Sequence, residues 1–164
     1  MYRSQPGAPS GGCSSPPAHA LPGPLAAVFA EPAGRAGPWP LPRSGEACAL
    51  ARRAVRHTLS SWALGDLADT AELLVSEVVA NALRHTRGPV QLTVVHGGSR
   101  WWCGVGDAGP GFPRIRPATP DDECGRGMAM IAQLACAWGA DHTAWGKEVW
   151  FSLPVGVRSS GVRD

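Results

Sequence analysis

The chain has 164 residues, enough for one domain around one core, and its formal net charge is only +2. The positive charge is almost all arginine, scattered without a basic run, whereas phosphate-backbone binding needs a clustered patch; a nucleic-acid binder is therefore excluded. No apolar run approaches the length of a membrane span, and the N-terminus lacks a basic start followed by an apolar stretch, so no membrane association is expected and the cytoplasm is the expected compartment.

Residues 1–37 are rich in Pro, Gly, Ser and Ala and hold few large apolar side chains. Such a composition does not bury enough surface to offset the entropy of ordering, and it predicts a disordered arm. The folded domain is expected over residues 38–155, with a flexible tail over 156–164. Trp39-Pro40-Leu41 opens the domain as a sheet edge or an extended lead-in, because proline cannot donate to a central ladder. Ala47, Leu50, Ala51, Ala54, Val55, Thr58, Leu59 and Trp62 recur at helical spacing, with Ser44 as the expected N-cap and Gly65 as the left-handed closing residue. A second helix is expected from Asp66 to about Thr86, ended by Gly88-Pro89. Val90, Leu92 and Val94 alternate with polar residues and predict a strand. His96-Gly97-Gly98-Ser99 is the expected turn, and Trp101 to Val105 the returning strand. The proline-studded stretch from Gly109 to Gly127 reads as a long loop, and loops of that length are usually functional or disordered. A third helix over about Met128 to Ala137 and a closing hairpin of Trp138–Thr143 with Lys147–Leu153 complete the chain. These patterns are buried by helices packed on one face of a mostly antiparallel sheet, an α+β fold.

The cysteines (Cys13, Cys48, Cys103, Cys124, Cys136) are odd in number and share no CxxC spacing, which predicts free thiols and no metal site. Three other stretches carry candidate chemistry. Glu77 and Asn81 stand one turn apart on a helix that is apolar nearly all round, so they share a face. A carboxylate and an amide in such a place are costly without partners, and a Mg²⁺ ion, which takes oxygen ligands and keeps several waters, satisfies both. A simple polar stripe on the solvent face is the plainer alternative for this pair taken alone. Asp107-Ala-Gly-Pro-Gly111 follows a strand directly. Asp107 is placed there to accept a hydrogen bond from an exocyclic amine such as that of adenine, and Gly109 and Gly111 permit a sharp turn close to a ligand; a plain turn is the simpler alternative. Gly125-Arg126-Gly127 opens the third helix. Free N–H groups at a helix start make a phosphate seat, to which Arg126 adds charge-assisted contacts; a glycine hinge with a surface arginine is the alternative. The spacing is neither that of a P-loop nor that of a dinucleotide fingerprint.

The order of these stretches, with Ser76-Glu-Val-Val-Ala-Asn-Ala-Leu-Arg-His85 the most specific, resembles the GHKL ATPase superfamily. Within it the likeness is to the small single-domain anti-sigma-factor serine kinases of the histidine-kinase-like group, many of which occur in actinobacteria. It covers about Trp39 to Leu153. The resemblance implies a two-layer α/β sandwich of the Bergerat type. It implies ATP and Mg²⁺ as ligands, with Asn81 on Mg²⁺, Glu77 as general base, and Asp107 on the adenine amine. Gly109, Gly111, Gly125, Arg126 and Gly127 would hold the phosphates and form the ends of a mobile lid over residues 112–127. It also implies a serine/threonine kinase that switches between a sigma factor and an antagonist protein, as a monomer or a homodimer. A nucleotide-gated adaptor without catalysis is the alternative. The chain departs from the family pattern at Lys147-Glu148, where a threonine or serine usually supports the adenine-binding aspartate. Glu148 facing Asp107 would repel it; Lys147 reaching in would pair with it. A histidine kinase is not expected, because His57 lacks the acidic neighbour and following proline of a phosphoacceptor box.

Overall fold

The computed structural model describes residues 33–108, 126–143 and 146–156. In chain order these form strand β1 (Gly34–Leu41), helix α1 (Glu46–Ser61), a 3-10 turn (Gly65–Leu67), helix α2 (Ala68–His85), strands β2 (Val90–Gly97) and β3 (Arg100–Asp107), helix α3 (Arg126–Leu134), and strands β4 (Ala137–Thr143) and β5 (Gly146–Pro154). The strands make one five-stranded sheet in the order β1-β2-β3-β5-β4. Every neighbouring pair is antiparallel. Helices α1 and α2 pack on each other, and α2 also packs against α3 and the central strand β3. The result is the expected α+β sandwich of one helical layer on one sheet.

The core lies between the two layers. Ala47, Ala51, Val55 and Leu59 of α1 and Leu74, Val75, Val78 and Val79 of α2 meet Leu92, Val94, Trp101, Cys103, Val105, Val149, Phe151 and Leu153 of the sheet. Leu50, counted above in the helical pattern, is 38 % exposed, and α2 keeps Leu73 at 43 %. The apolar girdle of α2 is therefore wider than the stripe it buries.

Several boundaries differ from expectation for identifiable reasons. β1 starts at Gly34, inside the stretch expected as arm, because pairing to β2 from Gly34↔His96 onward holds it. Gly45 is the N-cap of α1 and makes no side-chain cap bond. Ser44 acts from one residue earlier, its hydroxyl accepting from the Glu46 N–H at 3.3 Å. The left-handed residue after α1 is Ala63, with φ 57°, not Gly65, which begins the 3-10 turn. The Leu64 N–H bonds back to the Leu59 carbonyl at 2.8 Å and so satisfies an orphan carbonyl at the helix end. At the end of α2, Arg43 donates to the carbonyls of Leu83 and Gly88, at 3.1 Å each, and ties the helix terminus to the loop that leads into β2. α3 ends at Leu134 rather than Ala137. The free-thiol expectation is corrected at one position: Cys48 and Cys103 are free, but Cys136 is disulfide-bonded. An odd count and the absence of CxxC spacing do not exclude one bonded pair. No helix among the described residues is long and apolar enough to cross a membrane.

Candidate functional site

The inner face of α2 carries the first two candidate residues. Asn81 is only 9 % exposed, and Glu77, one turn earlier, is half-buried. Neither side chain hydrogen-bonds to another described residue, and neither is among the fully buried polar atoms left without a partner, so both still reach solvent and are open to a ligand. The first turn of α3 comes very close to Glu77: a Cβ added at Gly127 would collide with Glu77 Oε2. A side chain at 127 would have to displace the Glu77 carboxylate, so the start of the helix lies directly against that group. The helical stretch holding Glu77 and the glycine stretch some fifty residues later (127 minus 77) therefore meet in space.

Helix α1 supplies neighbours that sequence reasoning missed. Arg52 donates to Ser76 Oγ at 3.1 Å, and Cys48 Sγ contacts the Ser76 carbonyl at 3.6 Å. Burial pushes the Cys48 thiol up, Arg52 pulls it down, and the Glu77 carboxylate pushes it up again. The charge on Glu77 is thus felt across the α1–α2 seam. No motif announces Cys48 or Arg52; their spacing within α1 is the only signal, and it yields a contact only once the two helices are docked.

Asp107 ends β3 and is fully buried. It stands directly across from Lys147 in the β3–β5 ladder. Lys147 Nζ donates to Asp107 Oδ1 at 2.9 Å, with side-chain exposures of 3 % and 0 %. Of the two arrangements the sequence left open, this is the second. Glu148 does not face Asp107, because adjacent residues of a strand point to opposite faces. Its carboxylate lies on the far face of the sheet, where a Cβ on Gly104 would strike Glu148 Oε1 and the Trp102 ring. Val95, Trp102 and Trp150 cluster separately from the main core, and the Trp150 indole N–H donates to Asp141 Oδ2 at 2.7 Å. Burial first, then the Asp141 charge, raises the Glu148 pKa from the ordinary 4.5 to about 7, with Arg35 opposing.

Gly109, Gly111 and Gly125, and with them residues 112–125 of the lid expected over 112–127, lie outside the described residues, as does the arm up to residue 32. Arg126 is the first residue of α3. His57 and His85 are both exposed. Among the described residues no group of three or more His, Cys, Asp or Glu is positioned to hold a metal ion. A zinc-type site is therefore absent from them. The oxygen donors present, Asn81 and Glu77, fit instead a hard cation that takes its other ligands from phosphate and water.

No curated protein matches the chain. The model of one family does, the histidine kinase-like ATPase domain, over residues 41–153. That span runs from the last residue of β1 to the end of the core-facing part of β5, so it takes in both helices of the α1–α2 seam, the Glu77–Gly127 contact and the Asp107–Lys147 pair. The chain belongs to the histidine kinase-like ATPase family, whose members carry an ATP-binding domain.

Proposed function

We propose that this protein binds Mg·ATP between α2, α3 and the ends of β3 and β5, and acts as an anti-sigma-factor-like serine/threonine kinase. In this reading it phosphorylates a serine on an antagonist protein and holds a sigma factor in the alternate state. The observation that carries the reading is the contact between Glu77 and Gly127. It sets a half-buried carboxylate at the first turn of a helix, and a helix start is a seat for phosphate. Family membership supports the nucleotide; the anti-sigma role rests on the likeness of the Ser76–His85 stretch.

The roles follow from residue chemistry. Asn81 would hold Mg²⁺ by its amide oxygen, and the ion when bound neutralises phosphate charge. Glu77 would take the proton from the attacking serine hydroxyl. Asp107 would accept from the exocyclic amine of adenine. Gly127 and the N–H groups of the first turn of α3 would face the phosphates, with Arg126 beside them and Gly109, Gly111 and Gly125 contributing from the stretch of chain between β3 and α3.

Calorimetric titration with Mg·ADP and Mg·ATP tests the reading. The wild type is expected to bind both, and Asn81→Ala to lose the part of the affinity that depends on Mg²⁺. Glu77→Ala is expected to keep binding but slow phosphate transfer by about 10²–10⁴-fold, the usual worth of a general base. Unchanged affinity after Asn81→Ala removes the magnesium role. A second reading, a nucleotide-gated adaptor that sequesters a partner without catalysis, is favoured by one feature: the Asp107 carboxylate is already engaged by Lys147. Nucleotide binding with no transfer to any serine-bearing partner selects it.

A further inference from the structure

Lys147 is the only lysine in a chain that otherwise uses arginine for its positive charge. It is 2 % exposed and faces inward from β5 at the one position opposite Asp107. An ammonium carries three N–H donors. One goes to Asp107 Oδ1 at 2.9 Å. Among the described residues no acceptor takes the others. A buried ion pair with unmet donors is a poor structural device, because desolvation of the charges is not recovered unless the remaining hydrogen bonds are made. The pair sets a buried carboxylate beside a cation whose remaining donors no described residue accepts.

We infer that Lys147 reads the base of the bound nucleotide directly. In this assignment Asp107 accepts from the exocyclic amine of adenine, and Lys147 Nζ donates to the adjacent ring nitrogen N1. The inference rests on the nucleotide reading given above and deepens it by naming a specificity-determining residue. The amidine edge of adenine offers a donor and an acceptor side by side, and the Asp107–Lys147 pair is its complement. Guanine offers the two in reversed order, so the same pair disfavours it.

The test uses ADP and 1-deaza-ADP, which keeps the exocyclic amine and lacks the ring nitrogen. Wild-type protein is expected to bind ADP about tenfold or more tightly than 1-deaza-ADP, the usual worth of a hydrogen bond to a charged group. Lys147→Met is expected to bind both at the weaker level and to lose the discrimination. Because the chain has one lysine, ¹⁵N-lysine labelling of the untagged protein gives a single side-chain ammonium resonance. ADP should shift it and protect it from exchange, whereas 1-deaza-ADP should leave it at its ligand-free position. This readout needs no variant and stands even if Lys147→Met fails to fold. An equal response of the resonance to both nucleotides, or the same affinity ratio in wild type and Lys147→Met, overturns the inference and leaves the nucleotide reading intact. Failure of the wild type to bind ADP at all removes both.

Discussion

Lys147 and Glu148 are neighbours in sequence and occupy two different electrostatic worlds. Lys147 lies on the helix-covered face of the sheet and is matched by Asp107 across one ladder rung. Glu148 lies on the other face, opposite Asp141 in the β4–β5 ladder, so that carboxylate faces carboxylate. The first site resolves burial by pairing opposite charges. The second favours the protonated acid, because burial first and then the Asp141 charge raise the Glu148 pKa to about 7. Two charged residues at adjacent positions thus teach that strand parity, more than residue type, decides what a buried charge does.

Removing one partner of the matched pair has the largest expected effect. Lys147→Met leaves Asp107 buried without its cation and should cost roughly 3–5 kcal/mol in denaturant unfolding. The double variant Asp107→Asn/Lys147→Met should recover most of that loss. Additive losses instead would show that the two residues are not coupled, and the contrast between the two faces would collapse.

Glu148 should behave in the opposite sense. Its folded pKa lies above its unfolded one, so the native state binds the proton more tightly. The linked stability is full below about pH 4.5, falls as pH rises towards about 7, and is flat above that. Glu148→Gln should therefore match wild type at about pH 4 and exceed it at about pH 8 by up to about 3 kcal/mol. Thermal melts at both pH values check this, and a Glu148→Gln protein less stable at the higher pH would reverse the sign. Trp150→Phe should cost a smaller amount, about 1.5 kcal/mol, by removing the 2.7 Å bond from the indole to Asp141. The smallest change is expected from Arg35→Ala. The exposed guanidinium favours the charged form of Glu148, so its loss should move the carboxylate's NMR titration midpoint slightly upward.

Much of this architecture is legible in the residues themselves. The helical spacing of Ala47, Ala51, Val55 and Leu59 gives α1 its core face, and the alternation of Val90, Leu92 and Val94 gives β2. Local signals failed where tertiary pairing overrode them. Gly34 to Ala36 have little to bury, yet they join the sheet because β2 offers an open edge. Ala63 takes the left-handed turn that Gly65 seemed better suited for, since the helix end is fixed by where Leu59 and Leu64 bond rather than by the nearest glycine. At the candidate site, Glu77, Asn81 and Asp107 stood out as polar residues in apolar or strand-end settings. Alternation with Val149 and Phe151 places Lys147 on the inner face. Its rung opposite Asp107 depends on a register between strands forty residues apart (147 minus 107), which no local pattern encodes. Cys48 and Arg52 were invisible for the same reason: they matter only through the docked α1–α2 seam.

The seclusion of the single lysine also gives the molecule a built-in clock. Its folded exterior offers amine-reactive reagents no side-chain target, so acylation of Lys147 must wait for β5 to part from β3. The rate of that modification, followed by mass spectrometry, would report how often this end of the sheet breathes and how far a nucleotide slows it.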